Sequence, residues 1–249
     1  MKDLKILYLY PDILELYGDF GNIQVLKYRL EKRGFNAIID TYSIGDNAPD
    51  FCNYDLVFAG GGADQEQSIL AADLVKYKDN IQEAVNSGVF FLLICGAYQL
   101  FGKYYKGVEG NIIPGLEIFD YYTEAISDRK QRCIGNIVIE AELNGLKTKI
   151  IGFENHGGQT FDVETSFGDV LFGNGNKFGD TKEGFFLDNI IATYLHGPLL
   201  SKNPKLTDYI ISYCFNRKYD ENIVLNPLDD TLENKVREQL LNRFLQPKI

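Results

Sequence analysis

The run Val89-Phe90-Phe91-Leu92-Leu93-Ile94-Cys95-Gly96-Ala97-Tyr98-Gln99-Leu100 decides how the chain is read. Seven consecutive apolar residues, 89 to 95, have the length of one strand, and the lack of polar alternation fits a strand covered by helices on both faces. Gly96 and Ala97 permit a tight turn, and a helix starts at once. Upstream, residues 69–85 carry Leu70, Leu74, Ile81 and Val85 roughly on one helical face, and Gly88 stops that helix. Residues 5–10, 36–42 and 54–59 have strand length and texture. The first two are separated by a helix over 21–32, with Ile23, Leu26 and Leu30 at helical spacing and Gly34 at its end. Strand–helix alternation of this kind predicts an α/β fold built on a parallel sheet.

From Ile112 onward the texture shifts to short, turn-punctuated strands, expected over 117–122, 134–143, 148–153, 184–187 and 190–195. No Pro/Ser-rich linker intervenes, so these are expected to extend the same sheet in antiparallel fashion within a single domain, residues 1–249. A helix is expected over 205–215. The tail, about 228–245, places Leu228, Leu232, Val236, Leu240 and Phe244 four apart, an amphipathic helix for which Asp230 and Glu233 offer a cap.

Composition narrows the function classes. The 249 residues include 25 Lys+Arg and 35 Asp+Glu, a net charge of −10, with 45% hydrophobic and 24% charged residues. That is globular composition at a length able to bury a substantial core. The acidic balance argues against nucleic-acid binding and against docking on an anionic membrane surface. No apolar run approaches the ~20 residues of a membrane span, and no signal-peptide cleavage pattern follows Met1. Cysteines at 52, 95, 133 and 214 show no Cys-x-x-Cys spacing, so a metal site is not expected. Reduced thiols and a cytoplasmic setting are. Only two histidines, His156 and His196, are available for imidazole chemistry.

Three stretches could carry chemistry. The strand–Cys95–Gly96–helix layout is that of a nucleophile elbow, which holds a reactive atom above the sheet edge. The helix N-terminus favours negative charge there, and its N–H groups can face an oxyanion. A buried structural cysteine is the competing reading. Second, residues 190–195 lead into His196-Gly197-Pro198, which puts an imidazole at another strand end. Ligands of such sheets gather at the carboxyl ends of strands, so Cys95 and His196 can meet. Third, Gly60-Gly61-Gly62 follows a strand without the Lys-Ser/Thr of a phosphate loop. It is either a plain tight turn or a source of N–H groups for an anionic transition state.

Together, Ile94-Cys95-Gly96-Ala97-Tyr98-Gln99, the glycine loop about 35 residues before it, and Tyr194-Leu195-His196-Gly197-Pro198 resemble class I glutamine amidotransferases of the cobyric-acid-synthase type. The runs Leu16-Tyr17-Gly18-Asp19-Phe20-Gly21-Asn22, Gly61-Gly62-Ala63-Asp64-Gln65-Glu66-Gln67 and Gly152-Phe153-Glu154-Asn155-His156-Gly157-Gly158 narrow the resemblance. They are similar to the glutaminase subunits that work beside a Mur-ligase-like synthetase on lipid II.

The resemblance implies a flavodoxin-like, doubly wound, largely parallel sheet and hydrolysis of L-glutamine to glutamate and ammonia. It implies Cys95 as nucleophile, His196 as base and Arg132, in Arg-x-x-Gly-Asn-Ile, as the clamp on the glutamine α-carboxylate, with Arg129 as competitor. A guanidinium suits that task because it binds a carboxylate through two parallel hydrogen bonds. The oxyanion is expected at backbone N–H groups of Gly61, Gly62 and Gly96. No cofactor is expected in this chain, and ATP and its metal are expected on the synthetase partner, which would amidate the α-carboxylate of D-glutamate in the stem peptide. Amidation of another carboxylate, as in cobyric acid synthesis, is the alternative within the fold, and a non-catalytic binding module is the alternative outside enzymology.

Two departures stand out. Many class I members continue His-Pro-Glu, whereas Gly197-Pro198-Leu199 supplies no carboxylate, so the group orienting His196 is expected elsewhere, the partner being one source. Leu93 also stands where many elbows carry glycine. His156, Cys52, Cys133 and Cys214 are read as structural.

Overall fold

A computed structural model describes residues 2–14, 18–62 and 64–246, residues 64 and 65 by their backbone alone. Leu16, Tyr17 and Ala63 of the runs quoted above lie outside the described residues.

Strands β1 (Asp3–Leu9), β2 (Asn36–Tyr42), β3 (Leu56–Ala59) and β4 (Phe90–Ile94) are four adjacent strands of a six-stranded sheet. Two later strands, β13 (Phe185–Leu187) and β14 (Ile190–Thr193), complete it in the order β13-β14-β4-β3-β1-β2. All neighbours run parallel except the edge pair β13–β14. Read from β2, the five parallel strands follow the flavodoxin-like order, with a topological switch between β1 and β3. Every residue of β3, β4 and β14 is buried, as their unbroken apolar sequence requires.

Helices α1 (Phe20–Glu31), α2 (Asp64–Leu74), α3 (Lys78–Asn86), α4 (Gly96–Leu100), α5 (Pro204–Tyr219) and α6 (Thr231–Leu245) accompany the strands. The single helix expected over 69–85 is instead α2 and α3 around a 3-10 turn, Val75–Tyr77. There Tyr77 packs edge-on against Tyr42, whose hydroxyl, like that of Tyr10, donates to the buried Asp73 carboxylate at 2.8–2.9 Å. Tertiary packing thus overrides a continuous helical pattern.

The remaining strands are β5 (Tyr104–Lys106), β6 (Ile112–Pro114), β7 (Tyr122–Ala125), β8 (Cys133–Leu143), β9 (Leu146–His156), β10 (Gly158–Phe161), β11 (Gly168–Phe172) and β12 (Lys182–Glu183). Only β13 extends the main sheet antiparallel. The others make two four-stranded sheets, β10-β7-β5-β6 and β12-β11-β8-β9. The strand expected over 117–122 starts only at Tyr122, because the N–H groups of Leu116 and Glu117 cap carbonyls of Leu100 and Gly102 at the end of α4. The β8–β9 hairpin turns through Asn144-Gly145, both at positive φ, and runs in register for eleven residue pairs.

The tail helix exists, but Asp230 does not cap it with its side chain. Its carboxylate accepts from Arg29 Nη1 at 2.5 Å, and the same guanidinium forks onto Asp208 through Nε and Nη2 at 2.8 Å. Arg29 is thereby buried between α1, α5 and the start of α6. Removing the cation would leave the Asp230 carboxylate without this partner and Asp208 with Arg33 alone, at 2.7 Å. Arg29→Met should therefore lower unfolding free energy by about 3 kcal/mol in a denaturant titration, and a loss under about 0.5 kcal/mol would show that this network is not what secures α6.

Candidate active site

Four chain segments meet at the carboxyl ends of the parallel strands. Cys95 follows β4 with φ +52° and ψ −102°, a conformation that non-glycine residues rarely adopt. Its N–H donates to the Thr193 carbonyl at 2.8 Å, which ties the end of β4 to the end of β14, and its own carbonyl starts α4 by accepting from Gln99 N–H at 3.0 Å. The sulfur therefore sits above the sheet edge on a strained turn, the geometry expected of an elbow. Leu93, in place of glycine, is simply buried within β4.

His196, three residues past β14, is fully buried and clamped by a two-way backbone pairing with Phe153: N–H to O at 2.9 Å, and O from N–H at 3.2 Å. Its Nδ1 lies 3.0 and 3.2 Å from the two carboxylate oxygens of Asp19, and the Cys95 side chain adjoins the ring closely enough to act on its charge. Asp19 sits between β1 and α1, wholly buried, and one of its oxygens additionally accepts the Gly61 N–H at 2.9 Å. The carboxylate missing after His196 thus comes from this chain itself, from the opposite end of the sequence.

Burial alone would drive the His196 pKa down. The negative charge at Cys95 and the bond to Asp19 outweigh it and push the imidazole up to about 10. An imidazole held cationic between a sulfur and a carboxylate is arranged to carry a proton between substrate and protein.

The glycine loop fits closely around this line. A side chain on Gly61 would place its Cβ 2.7 Å from His196 Cε1 and 3.3 Å from Cys95 Cβ, so only glycine is accommodated. The Gly61 N–H was expected to face an oxyanion; it is instead bound to Asp19, because the carboxylate needs a second donor once buried. Gly62 and Gly96 abut each other, the Gly62 nitrogen lying 3.3 Å from a Cβ placed on Gly96.

Behind the line lies a buried polar chain. Gln67 donates to Gln99 at 2.6 Å, Gln99 to Tyr194 Oη at 3.1 Å, and Tyr194 Oη meets Thr160 Oγ1 at 2.6 Å. Glu183, pushed up to about 8 by burial, accepts from Thr193 Oγ1 and from Tyr194 N–H, and so braces the turn that delivers His196. His156 stacks flat on Tyr194 at 3.6 Å and contacts the Gly158 carbonyl at 2.7 Å. Burial holds it down at about 3, so it is a neutral structural imidazole.

Arg132 immediately precedes β8, exposed, with Nε and Nη2 donating to Asn155 at 3.1–3.2 Å. Its charge and that of His196 both act on His156, which puts all three in one electrostatic neighbourhood. Arg129 lies in a short 3-10 turn on the exposed side of that loop. Asp19, Glu183 and Gln67 had no role in the sequence reading. Asp19 carried a usable signal, since an acidic residue in the connection after the first strand faces the same sheet edge as Cys95 and His196. Among the described residues, no group of three or more His, Cys, Asp or Glu side chains could hold a metal ion.

Residues 5–204 match the model of the CobB/CobQ-like glutamine amidotransferase domain. The chain is 39% identical to the lipid II isoglutaminyl synthase (glutamine-hydrolyzing) subunit GatD of Staphylococcus aureus, over 100% of this chain and 99% of that protein. It is 38% identical to the GatD subunit of Streptococcus pneumoniae, over 95% of this chain and 90% of the relative. Among solved structures, PurLQS from Thermotoga maritima superposes with a TM-score of 0.54 at 16% identity, covering 87% of this chain and 99% of that one. That likeness concerns the fold.

The Asp19–His196 bond generates a pH-resolved prediction. Asp19→Asn should lower ammonia release from glutamine by about 10²- to 10⁴-fold, since the imidazole loses its orienting anion. Because the folded-state pKa is raised, the stability from His196 is complete below about pH 6.5 and lost as pH rises through about 10. The stability deficit of Asp19→Asn should accordingly be largest near pH 6.5 and shrink toward pH 10. Turnover within threefold of wild type would remove Asp19 from the chemistry.

Proposed function

This chain belongs to the family of CobB/CobQ-like glutamine amidotransferase domains, and from its site we propose that it serves as the glutamine-hydrolysing subunit of a lipid II isoglutaminyl synthase. The observation that carries the reading is the buried line Cys95–His196–Asp19 at the carboxyl edge of the sheet. Two relatives near 40% identity that match over nearly their whole length support the choice of acceptor pathway.

In this reading the Cys95 sulfur, as thiolate, attacks the side-chain amide carbon of L-glutamine. The carbonyl oxygen becomes an oxyanion held by the N–H groups of Gly62 and Gly96. His196, cationic in the resting site, gives its proton to the departing nitrogen, and ammonia leaves as the thioester forms. Now neutral, His196 takes a proton from water, whose oxygen attacks the thioester and releases glutamate and the thiolate. Asp19 fixes the ring orientation throughout and stabilises the imidazolium. Arg132 is assigned to the α-carboxylate, where its planar fork can displace Asn155 as partner.

Ammonia must reach a second site before it is protonated by bulk water. That demand calls for a bound synthetase subunit, assigned here as a Mur-ligase-like partner that uses ATP, with its metal, to activate the D-glutamate α-carboxylate. No helix among the described residues is long and apolar enough to cross a membrane, and the expected setting is cytoplasmic.

Two outcomes test the chemistry. A glutamine-analogue diazo-ketone should alkylate Cys95 and spare the other cysteines: burial pushes Cys133 up to about 12 and Cys214 higher still, and Cys52 lies ahead of β3, at the opposite edge of the sheet; Cys95→Ser should release no ammonia above background. Peptide mapping that finds label on Cys133 instead would overturn the assignment. Arg132→Ala should lower kcat/KM for glutamine about ten- to a hundredfold, with partial recovery in Arg132→Lys. A silent Arg132→Ala beside a crippled Arg129→Ala would move the clamp three residues upstream.

A further inference from the structure

Past His196 the chain turns through Gly197-Pro198-Leu199 into a 3-10 turn, Leu200–Lys202, against which α6 lies. A groove of about 270 Å³ separates them, floored by Leu232, Val236 and Leu240 and edged by Lys202, Glu233 and Arg237. Leu232 is 70% exposed and Val236 45%, and no residue of α6 is buried. Three residues of the apolar stripe therefore line the groove, while at the far end Phe244 stacks on Phe172 at 5.2 Å.

The charges are the unusual part. The chain carries ten more acidic than basic residues, yet among the described residues neither cation of this groove has a carboxylate partner. The Arg237 guanidinium donates only to neutral oxygens, those of Lys202 O at 2.6 Å, Asn203 Oδ1 at 2.5 Å and Lys149 O at 2.7 Å. Lys202 is half-buried, and desolvation lowers its pKa with no anion to offset it. Half-buried cations next to exposed aliphatic side chains, in an acidic protein, call for a counter-ion from outside.

We propose that this groove seats an apolar segment of the synthetase subunit that carries a carboxylate for Lys202 and Arg237. The inference rests on the glutaminase-subunit reading for the existence of that partner. The location gives it a function. Lys202 Nζ lies 3.0 Å from a Cβ placed on Gly197, directly after the proposed proton carrier. The Leu200 N–H donates to Asn22 Oδ1 at 2.9 Å, and a side chain on Gly21 would collide with the Pro198 ring. A segment docked on Lys202 thus bears on the two turns that hold His196 and Asp19, and brings the synthetase to the ammonia-releasing edge. A second apolar face, around Ile69 on α2 and Ile112 on β6, is as exposed, but among the described residues its lining holds no cation that would select a partner.

The experiment uses the chain co-expressed with its synthetase subunit, with the photocrosslinking residue p-benzoylphenylalanine at Val236 or, as control, at Ile112. Val236 should crosslink to the synthetase subunit, at a peptide with Asp or Glu beside aliphatic residues, and Ile112 should not. Leu232→Glu combined with Val236→Glu should weaken association by at least about tenfold, while diazo-ketone labelling of Cys95 in this variant alone stays at the level of the wild-type chain alone. Unchanged association, crosslinking from Ile112 alone, or capture at Val236 of a second copy of this chain would each overturn the docking proposal. Because labelling of Cys95 is read separately, failure of the groove and failure of the glutaminase reading give different results.

Discussion

A single buried carboxylate organises the edge of the sheet. Asp19 holds His196 Nδ1 with one face and the Gly61 N–H with the same group of oxygens, so one anion orients the imidazole and fixes the glycine loop. A carboxylate taken fully out of water costs several kcal/mol unless partnered, and here both partners belong to the site. The cation that compensates it is His196, whose raised pKa is the thermodynamic counterpart of that arrangement. Cys95 stands on the far side of the imidazole and completes a charge alternation of sulfur, ring and carboxylate.

The architecture explains why three residues so far apart in sequence converge. In a parallel sheet every crossover returns to the same edge, so the connections after β1, β3, β4 and β14 open on one side. Asp19, Gly61, Cys95 and His196 occupy those four connections in turn. The two smaller sheets add what the main sheet lacks. The long β8–β9 hairpin clamps His196 through Phe153 and carries Arg132 at its root. Glu183, from β12, braces the turn from behind.

What was legible in the sequence was local. The apolar run into Cys95 and the strand into His196 declare themselves because strand, turn and helix signals lie within a dozen residues. The Asp19–His196 contact spans 177 positions, and the one local trace of it is the place of an acidic residue in the connection after the first strand. Asp230 shows the same limit: as a cap it fits the local rule, but Arg29, 201 positions away, takes its carboxylate. The break between α2 and α3 and the late start of β7 likewise follow from tertiary partners, Tyr42 in one case and the end of α4 in the other. The tail is helical over Thr231–Leu245, and part of the apolar stripe expected along it faces a groove.

The central claim is that Cys95, His196 and Asp19 act as one unit on glutamine. The most direct test is a crystal structure of the chain after reaction with a glutamine-analogue diazo-ketone. A covalent bond at Cys95 Sγ is expected, with the adduct oxygen within about 3 Å of the Gly62 and Gly96 nitrogens and the Asp19–His196 contact unbroken. An adduct on another cysteine, or one on Cys95 with His196 turned away from Asp19, would contradict it.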